Sequence, residues 1–313
     1  MPSKPNDETH ETGPPDPAAA AWVSIAVVVP TLASRPTARE VLHASLARSV
    51  ANLSAELSSS GADMDAEAIH RARIAIRKLR GDLRTFARLF DPDRLGDLRA
   101  RLAGLDEHLS AVRDDDIRVT QLRALQVTPD LLDAFVARRE LHAATLGDVL
   151  ASANNAALET DLCRLAANPP TMPAADADAA RILEPILQRC WRHLERVVDA
   201  LDDSDLDDSE ALHRIRRLAR RLRFALETAA PAFDDATMPL ARRLHQLQDA
   251  LGEHNDVTGL RGSLTEMARD QPSLAFAAGI ANERARTLAA DTAQSWRRYW
   301  KHAKRKRLRD WSR

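Results

Sequence analysis

Along this 313-residue chain, apolar residues recur at three- and four-residue spacing through long segments, with few interruptions. The pattern predicts helices at roughly 37–58, 65–90, 93–112, 115–124, 129–153 and 156–167, then 177–201, 209–230, 237–253, 255–269 and a long last helix from about 273 to 309. Pro30 and Pro36 close an N-terminal stretch, Asp91-Pro92 stops a helix, and Asn168-Pro169-Pro170 through Pro173 form the clearest linker. The organisation expected is a disordered tail over 1–35, a first helical bundle over 36–168, a linker at 169–176, and a second bundle over 177–313 that ends in a basic helix. Within the tail, Trp22 to Val29 reads as a short strand-like or docking segment.

The two halves repeat. HRARIAIRKLRGDL at 70–83 returns as HRIRRLARRLRFAL at 213–226, with His, the arginines, a basic residue and two leucines in register at an offset of 143. LAGLDEHLSAVRDDD at 102–116 matches LHQLQDALGEHND at 244–256 at an offset of 142, which sets Arg113-Asp114 against Asn255-Asp256. Leu46, Arg48 and Leu53 echo Leu187, Arg189 and Leu194 at 141. Segments in the same order at a nearly constant offset point to an internal duplication.

Composition narrows the class. Ten glycines, 4% aromatics and a single tyrosine favour helix over sheet. Cys163 and Cys190 form neither a disulfide framework nor a zinc pattern, which fits a reducing cytoplasm. No apolar run approaches membrane-spanning length, and the residues before Trp22 are acidic and proline-rich, unlike a secretory signal. The net charge of −1 says nothing about partners. The distribution of charge says more.

On a helical projection His70, Arg73, Arg77, Arg80, Arg84 and Arg88 fall within an arc of about 80°. Ala72, Ile76, Leu79, Leu83, Phe86 and Phe90 form the apolar side of the same helix. The stripe is about 27 Å long, a rail rather than a point. His213, Arg216, Arg220 and Arg223 repeat it, with Glu227 where Arg84 stood. Residues 70–88 hold seven Lys/Arg and one Asp, and residues 213–227 hold six Arg and one Glu. Like charges stacked at every turn cost stability unless an anion or an acidic surface neutralises them. Arginine's planar fork suits phosphate or carboxylate oxygens. The candidate anion ligands are His70, Arg73, Arg77, Lys78, Arg80, Arg84, His213, Arg216, Arg220, Arg221 and Arg223.

Plainer readings stand beside this one. A single such stripe is as often a solvated face, and its recurrence in register weakens that alternative. The acidic stretch Asp199–Glu210 is either a partner for one rail or a loop. Neither His70 nor His213 has a histidine or carboxylate partner at i+3 or i+4 on its own face, which speaks against a zinc site. His108 and His254 do not align with each other, so four equivalent catalytic histidines are not expected; His10, His43, His142, His193, His245 and His302 read as surface residues. Asp114-Asp115-Asp116 is either a Mg²⁺ site or a helix junction. No enzyme or cofactor signature is visible. In the basic C-terminus, Trp296, Trp300 and Trp311 interleave the cations, and packing of the tryptophans on the second bundle is expected.

The duplicated H-x-x-R-x-x-x-R-[KR]-L-R helix, with the later L-G-E-H-N-D element, resembles the CHAD family, the conserved histidine α-helical domain, over about residues 37–310. Leu109 to Asp114 resembles its L-G-x-x-R-D element with Ser110 in place of Gly, and Phe224 stands where the family often has Tyr. The resemblance implies an all-α fold of two antiparallel four-helix bundles related by a pseudo-twofold axis, with the basic helices around a central groove. It further implies non-catalytic binding of inorganic polyphosphate, no cofactor, and a cytoplasmic place on polyphosphate or polyester storage granules. The triphosphate chemistry of the domain often fused to such proteins does not carry over, because this chain has no room for it. A nucleic-acid binder, an adaptor docking an acidic protein and a phosphohydrolase are the alternatives, the first disfavoured by stripes almost without aromatic residues for stacking and the last by the lack of visible acid–base and metal groups.

Overall fold

The computed structural model describes residues 26–59, 65–201, 209–292, 296–305 and 308. Among these residues the regular structure is helical: α1 (Ala38–Ser59), α2 (Ala66–Thr85), α3 (Pro92–Leu95), α4 (Leu98–Ala124), α5 (Pro129–Leu150), α6 (Ala153–Ala167), α7 (Ala179–Asp199), α8 (Ser209–Ala229), α9 (Met238–Asp270), α10 (Ala275–Thr292) and α11 (Trp296–Ala303). Neighbours in sequence pack as antiparallel partners, α1 on α2, α2 on α4 and α4 on α5. In the second half α7 packs on α8, α8 on α9 and α9 on α10.

Local signals set the ends. The Asp65 carboxylate caps α2 by accepting from Ala68 N at 3.0 Å, and Asp178 caps α7 through Arg181 N at 3.0 Å. Along α2 the apolar positions Ile69, Ala72, Ile76, Leu79 and Leu83 are buried, as the spacing requires. The halves join at the starts of α1 and α7. Ala38 N donates to Ala177 O and Ala179 N donates to Pro36 O, both at 3.0 Å, around the pair Thr37–Asp178. The linker is held too: Asp91 N donates to Pro170 O at 2.8 Å and Met172 N to Leu89 O at 2.9 Å. Of the Trp22–Val29 segment, residues 22–25 lie outside the described part. Val27 and Val29 pack on the main core while Val28 between them is 87% exposed, the alternation of an extended docking segment.

One hydrophobic core runs through both halves, from α1 and α2 to α7, α8 and the first parts of α4 and α9. A second, smaller core joins the far ends of the two hairpins, with Leu122, Leu131 and Phe135 meeting Leu260, Leu264 and Ala281. Two predicted breaks are therefore absent. α4 runs unbroken through Asp114–Asp116, and α9 through His254. Each helix leaves the main core, crosses a polar middle, and enters the second core, so its polar stretch is a span between cores and not a junction. Of the last helix expected from 273 to 309 the structure describes α10 and α11, with residues 293–295 outside the described part; Ala278, Ala281 and Ala285 line the second core, while Trp296 and Trp300 are buried in the main one. Trp300 stacks on Trp191 of α7 at 5.5 Å between ring centroids, the packing expected of these tryptophans; Trp311 lies outside the described residues.

Candidate functional site

The polar middles of α4 and α9 face α2 and α8, which cross each other. At the crossing Phe224 lies over Gly81, where an added Cβ would come within 3.3 Å of the ring. Lys78 Nζ donates to Thr228 Oγ1, and Arg221 Nε donates to Thr85 Oγ1 at 3.0 Å. These two bonds link the same pair of positions in opposite directions at the offset of 143. Beneath them Asp82, with no exposed surface, accepts from Ser45 Oγ and Thr228 Oγ1, each at 2.8 Å, and pairs with Lys78 at 3.2 Å.

N-terminal to the crossing, the two rails open onto one cavity of about 620 Å³. Among the described residues seven arginines and two aspartates line it: Arg73, Arg77, Arg113, Arg118, Arg216, Arg220 and Arg223 against Asp114 and Asp256, with His70 and His213 among them. Among the described residues Phe224 is its single aromatic side chain, beside Ile74 and Ile117. Some cations are answered. Arg73 pairs with Asp114 at 3.0 Å, Arg77 with Asp106 at 3.5 Å, Arg223 with Glu227 at 3.4 Å and Arg118 with Asp115 at 3.0 Å. Others are not. Among the described residues Arg216 and Arg220 have no ion-pair partner, and the buried Nε atoms of Arg113, Arg216 and Arg223 have no hydrogen-bond acceptor.

The electrostatics follow. Burial first, and then Arg77, Arg216, Arg73 and Arg223, push the Arg220 guanidinium down to about 9. Arg73 and Arg216 are lowered as well, in each case by burial first. Partial burial and Arg113 lower His70; His213, exposed at its edge, loses hydration at the cavity lip and feels Arg217, Arg216, Arg220 and Arg77. Burial raises the Asp256 carboxyl even with Arg216 near it. A group of cations that oppose one another's charge is stabilised by any anion placed among them.

Of the residues singled out in the sequence, His70, Arg73, Arg77, His213, Arg216, Arg220 and Arg223 share this cavity. Lys78, Arg80, Arg84 and Arg221 do not line it. Lys78 and Arg221 hold the helix crossing, Arg80 is engaged by Asp106, and Arg84 is exposed beyond the crossing. Arg113, Asp114, Asn255 and Asp256 line the cavity without having been counted as ligands, although their repeat in register was the signal for them. The carboxylates of Asp114–Asp116 diverge: Asp114 meets Arg73, Asp115 meets Arg118 and Arg138, and Asp116 meets Arg139. No group of three His, Cys, Asp or Glu among the described residues is placed to hold a metal. Two histidines read as surface residues are engaged instead, His43 with Ala166 O and His142 with Asp115, each at 2.7 Å, while His10 lies outside the described residues. Residues 202–208 of the acidic stretch also lie outside them; Asp199 at its start pairs with Lys304 at 2.9 Å. No helix among the described residues is long and apolar enough to cross a membrane.

Fold and site together define an all-helical protein with a strongly basic central cavity. The CHAD domain family model matches residues 44–265, most of the chain, and the protein belongs to that family. PptA from Streptomyces chartreusis has a similar fold, with 23% sequence identity and a TM-score of 0.71 over 85% of this chain and 99% of its own. The CHAD domain from the plant Ricinus communis aligns at 21% identity with a TM-score of 0.73, covering 90% of this chain and 96% of its own. No curated protein matches the chain.

Proposed function

We propose that this protein binds inorganic polyphosphate in the central cavity, without catalysis, as a cytoplasmic protein at the surface of polyphosphate or polyester storage granules. One observation carries the reading: two arginine rails face a single cavity that, among the described residues, holds seven arginines and two aspartates. A linear polymer with a charge on every unit matches two rows of cations on one cavity, and its binding releases condensed counterions. Membership in the CHAD family supports the same ligand.

Absence of catalysis is part of the proposal. Asp114, Asp115 and Asp116 each face a different cation rather than converging on a phosphate-activating metal. A nucleic acid is the weaker reading, since Phe224 alone offers a stacking surface and sits at the helix crossing. The test is a titration of the full chain with long-chain polyphosphate, single-stranded DNA and heparin at several salt concentrations. Tightest binding to polyphosphate, falling steeply with salt, is expected; equal or tighter binding of DNA or heparin refutes the assignment. Incubation with polyphosphate and nucleoside triphosphates, with Mg²⁺ or Mn²⁺ and without, is expected to release no phosphate.

A further inference from the structure

The two walls of the cavity are in register but not equivalent. On the α2 side, α4 answers the arginines one after another. Ser110 Oγ accepts from Arg73 Nε at 2.9 Å and from Arg77 Nη2 at 3.4 Å, Asp106 pairs with both Arg77 and Arg80, and Asp114 pairs with Arg73. On the α8 side the positions of α9 in the same register, at an offset of 142, are Gln248 for Asp106 and Gly252 for Ser110. Gln248 carries no charge and donates its amide to Leu244 O at 2.9 Å. Gly252 offers no side chain, and Arg216 lies over it so closely that a Cβ there would come within 3.0 Å of Nη2. Asp256 is near enough to be felt by Arg216 but forms no ion pair with it.

A half-buried guanidinium without a partner gains most from an arriving phosphate, whereas one already paired exchanges one acceptor for another. Polyphosphate is the same read from either end, and this cavity is not. We infer that the strongest phosphate position lies off the centre of the cavity, on α8 at Arg216 and Arg220, and that Asp106 and Ser110 hold the α2 wall as the weaker side. A short phosphate anchors on α8, and a longer chain extends from there toward Arg113 and Arg77. This assignment rests on the polyphosphate reading of the cavity.

The test uses the full chain and two probes, inorganic triphosphate and long-chain polyphosphate, titrated calorimetrically. Arg220→Gln is expected to weaken triphosphate binding by at least about tenfold, the loss of one charge-assisted contact, and Arg77→Gln to weaken it far less. Asp106→Asn, which keeps size and shape while releasing Arg77 and Arg80, is expected to tighten triphosphate binding several-fold. Gln248→Asp, the reciprocal change, is expected to weaken it. Equal losses from Arg220→Gln and Arg77→Gln, or an unchanged affinity in Asp106→Asn, overturn the α8 anchor while leaving the polyphosphate reading intact. Wild-type protein that binds neither probe overturns both.

Discussion

Two arginine-rich regions meet at the middle of α4, and they are built on opposite terms. Toward α5, Asp115 has no exposed surface and accepts from Arg138 at 2.6 Å, Arg118 at 3.0 Å and His142 at 2.7 Å, while Asp116 accepts from Arg139 at 3.0 Å. The Arg138 guanidinium also lies 4.4 Å from the centroid of the Phe135 ring. Toward α2 and α8, the cavity leaves Arg216 and Arg220 without any carboxylate partner among the described residues. Arginines gather in both places, Arg118, Arg138 and Arg139 around Asp115 and Asp116 and a larger group in the cavity, so their presence alone is not what marks a binding site. The supply of carboxylates is. In the first region the charges join helices; in the second Arg216 and Arg220 are left without a counter-charge among the described residues.

The largest expected effect separates the two regions. Replacing Arg77 and Arg220 together by Ala should weaken long-chain polyphosphate binding by roughly two to four orders of magnitude, at about 1.5–3 kcal/mol per charge-assisted contact. The same change should leave the melting temperature of the free protein equal or higher, because it removes mutually repelling charge that is half-buried. Calorimetric titration and thermal unfolding check the two halves of that statement, and a large fall in melting temperature would make the rails structural.

Asp115→Ala should do the reverse. It strands Arg118 and Arg138 without their acceptor and should cost about 3–5 kcal/mol of stability, read by denaturant unfolding, while the folded protein binds polyphosphate no more weakly than wild type, since the freed Arg118 lines the cavity. A variant that is stable but no longer binds would erase the distinction between the regions.

A smaller effect comes from protons. His70 and His213 are held below the ordinary histidine value by burial and by neighbouring arginines, with Glu67 opposing at His70. A bound polyanion favours their charged forms, so their values rise on binding and protons are taken up. Affinity should therefore grow several-fold as the pH falls from about 8 toward 6, where free histidine titrates. Titrations in buffers of different ionisation enthalpy check the uptake, and a pH-independent affinity would remove the histidines from the site. The least effect is expected from Arg305→Ala, an exposed C-terminal cation outside the cavity, whose affinity should stay within about twofold of wild type.

Much of this was legible in the sequence, and the exceptions have causes. The rails showed because helical periodicity and register are properties of the chain alone. Lys78 and Arg221 sit beside the rails in sequence but on a different side of their helices, where each meets a threonine of the other half; only the crossing of α2 and α8 reveals that use. Arg84 keeps the periodicity of the stripe and still lies outside the cavity, since the crossing at Gly81 ends it. The unbroken α4 and α9 were hidden for a related reason. A charged run inside a helix resembles a helix end unless one knows that arginines of α5 receive Asp115 and Asp116. The difference between Asp106 and Gln248 lay in plain view, but its meaning depends on which arginine each position faces.

The contact of Gly81 with Phe224 limits how alike the two halves can ever be. The two positions are counterparts at an offset of 143, and they touch, so one space serves both. Copying the second half onto the first would bring Gly81→Phe, two rings where one fits. Copying the first onto the second would bring Phe224→Gly and an empty ring-sized hole, worth about 3–5 kcal/mol by the cost of deleting a buried phenyl group. A perfectly symmetrised version of this protein is thus less stable in either direction. Whatever history produced the repeat, identity between the halves is unavailable at the place where they meet.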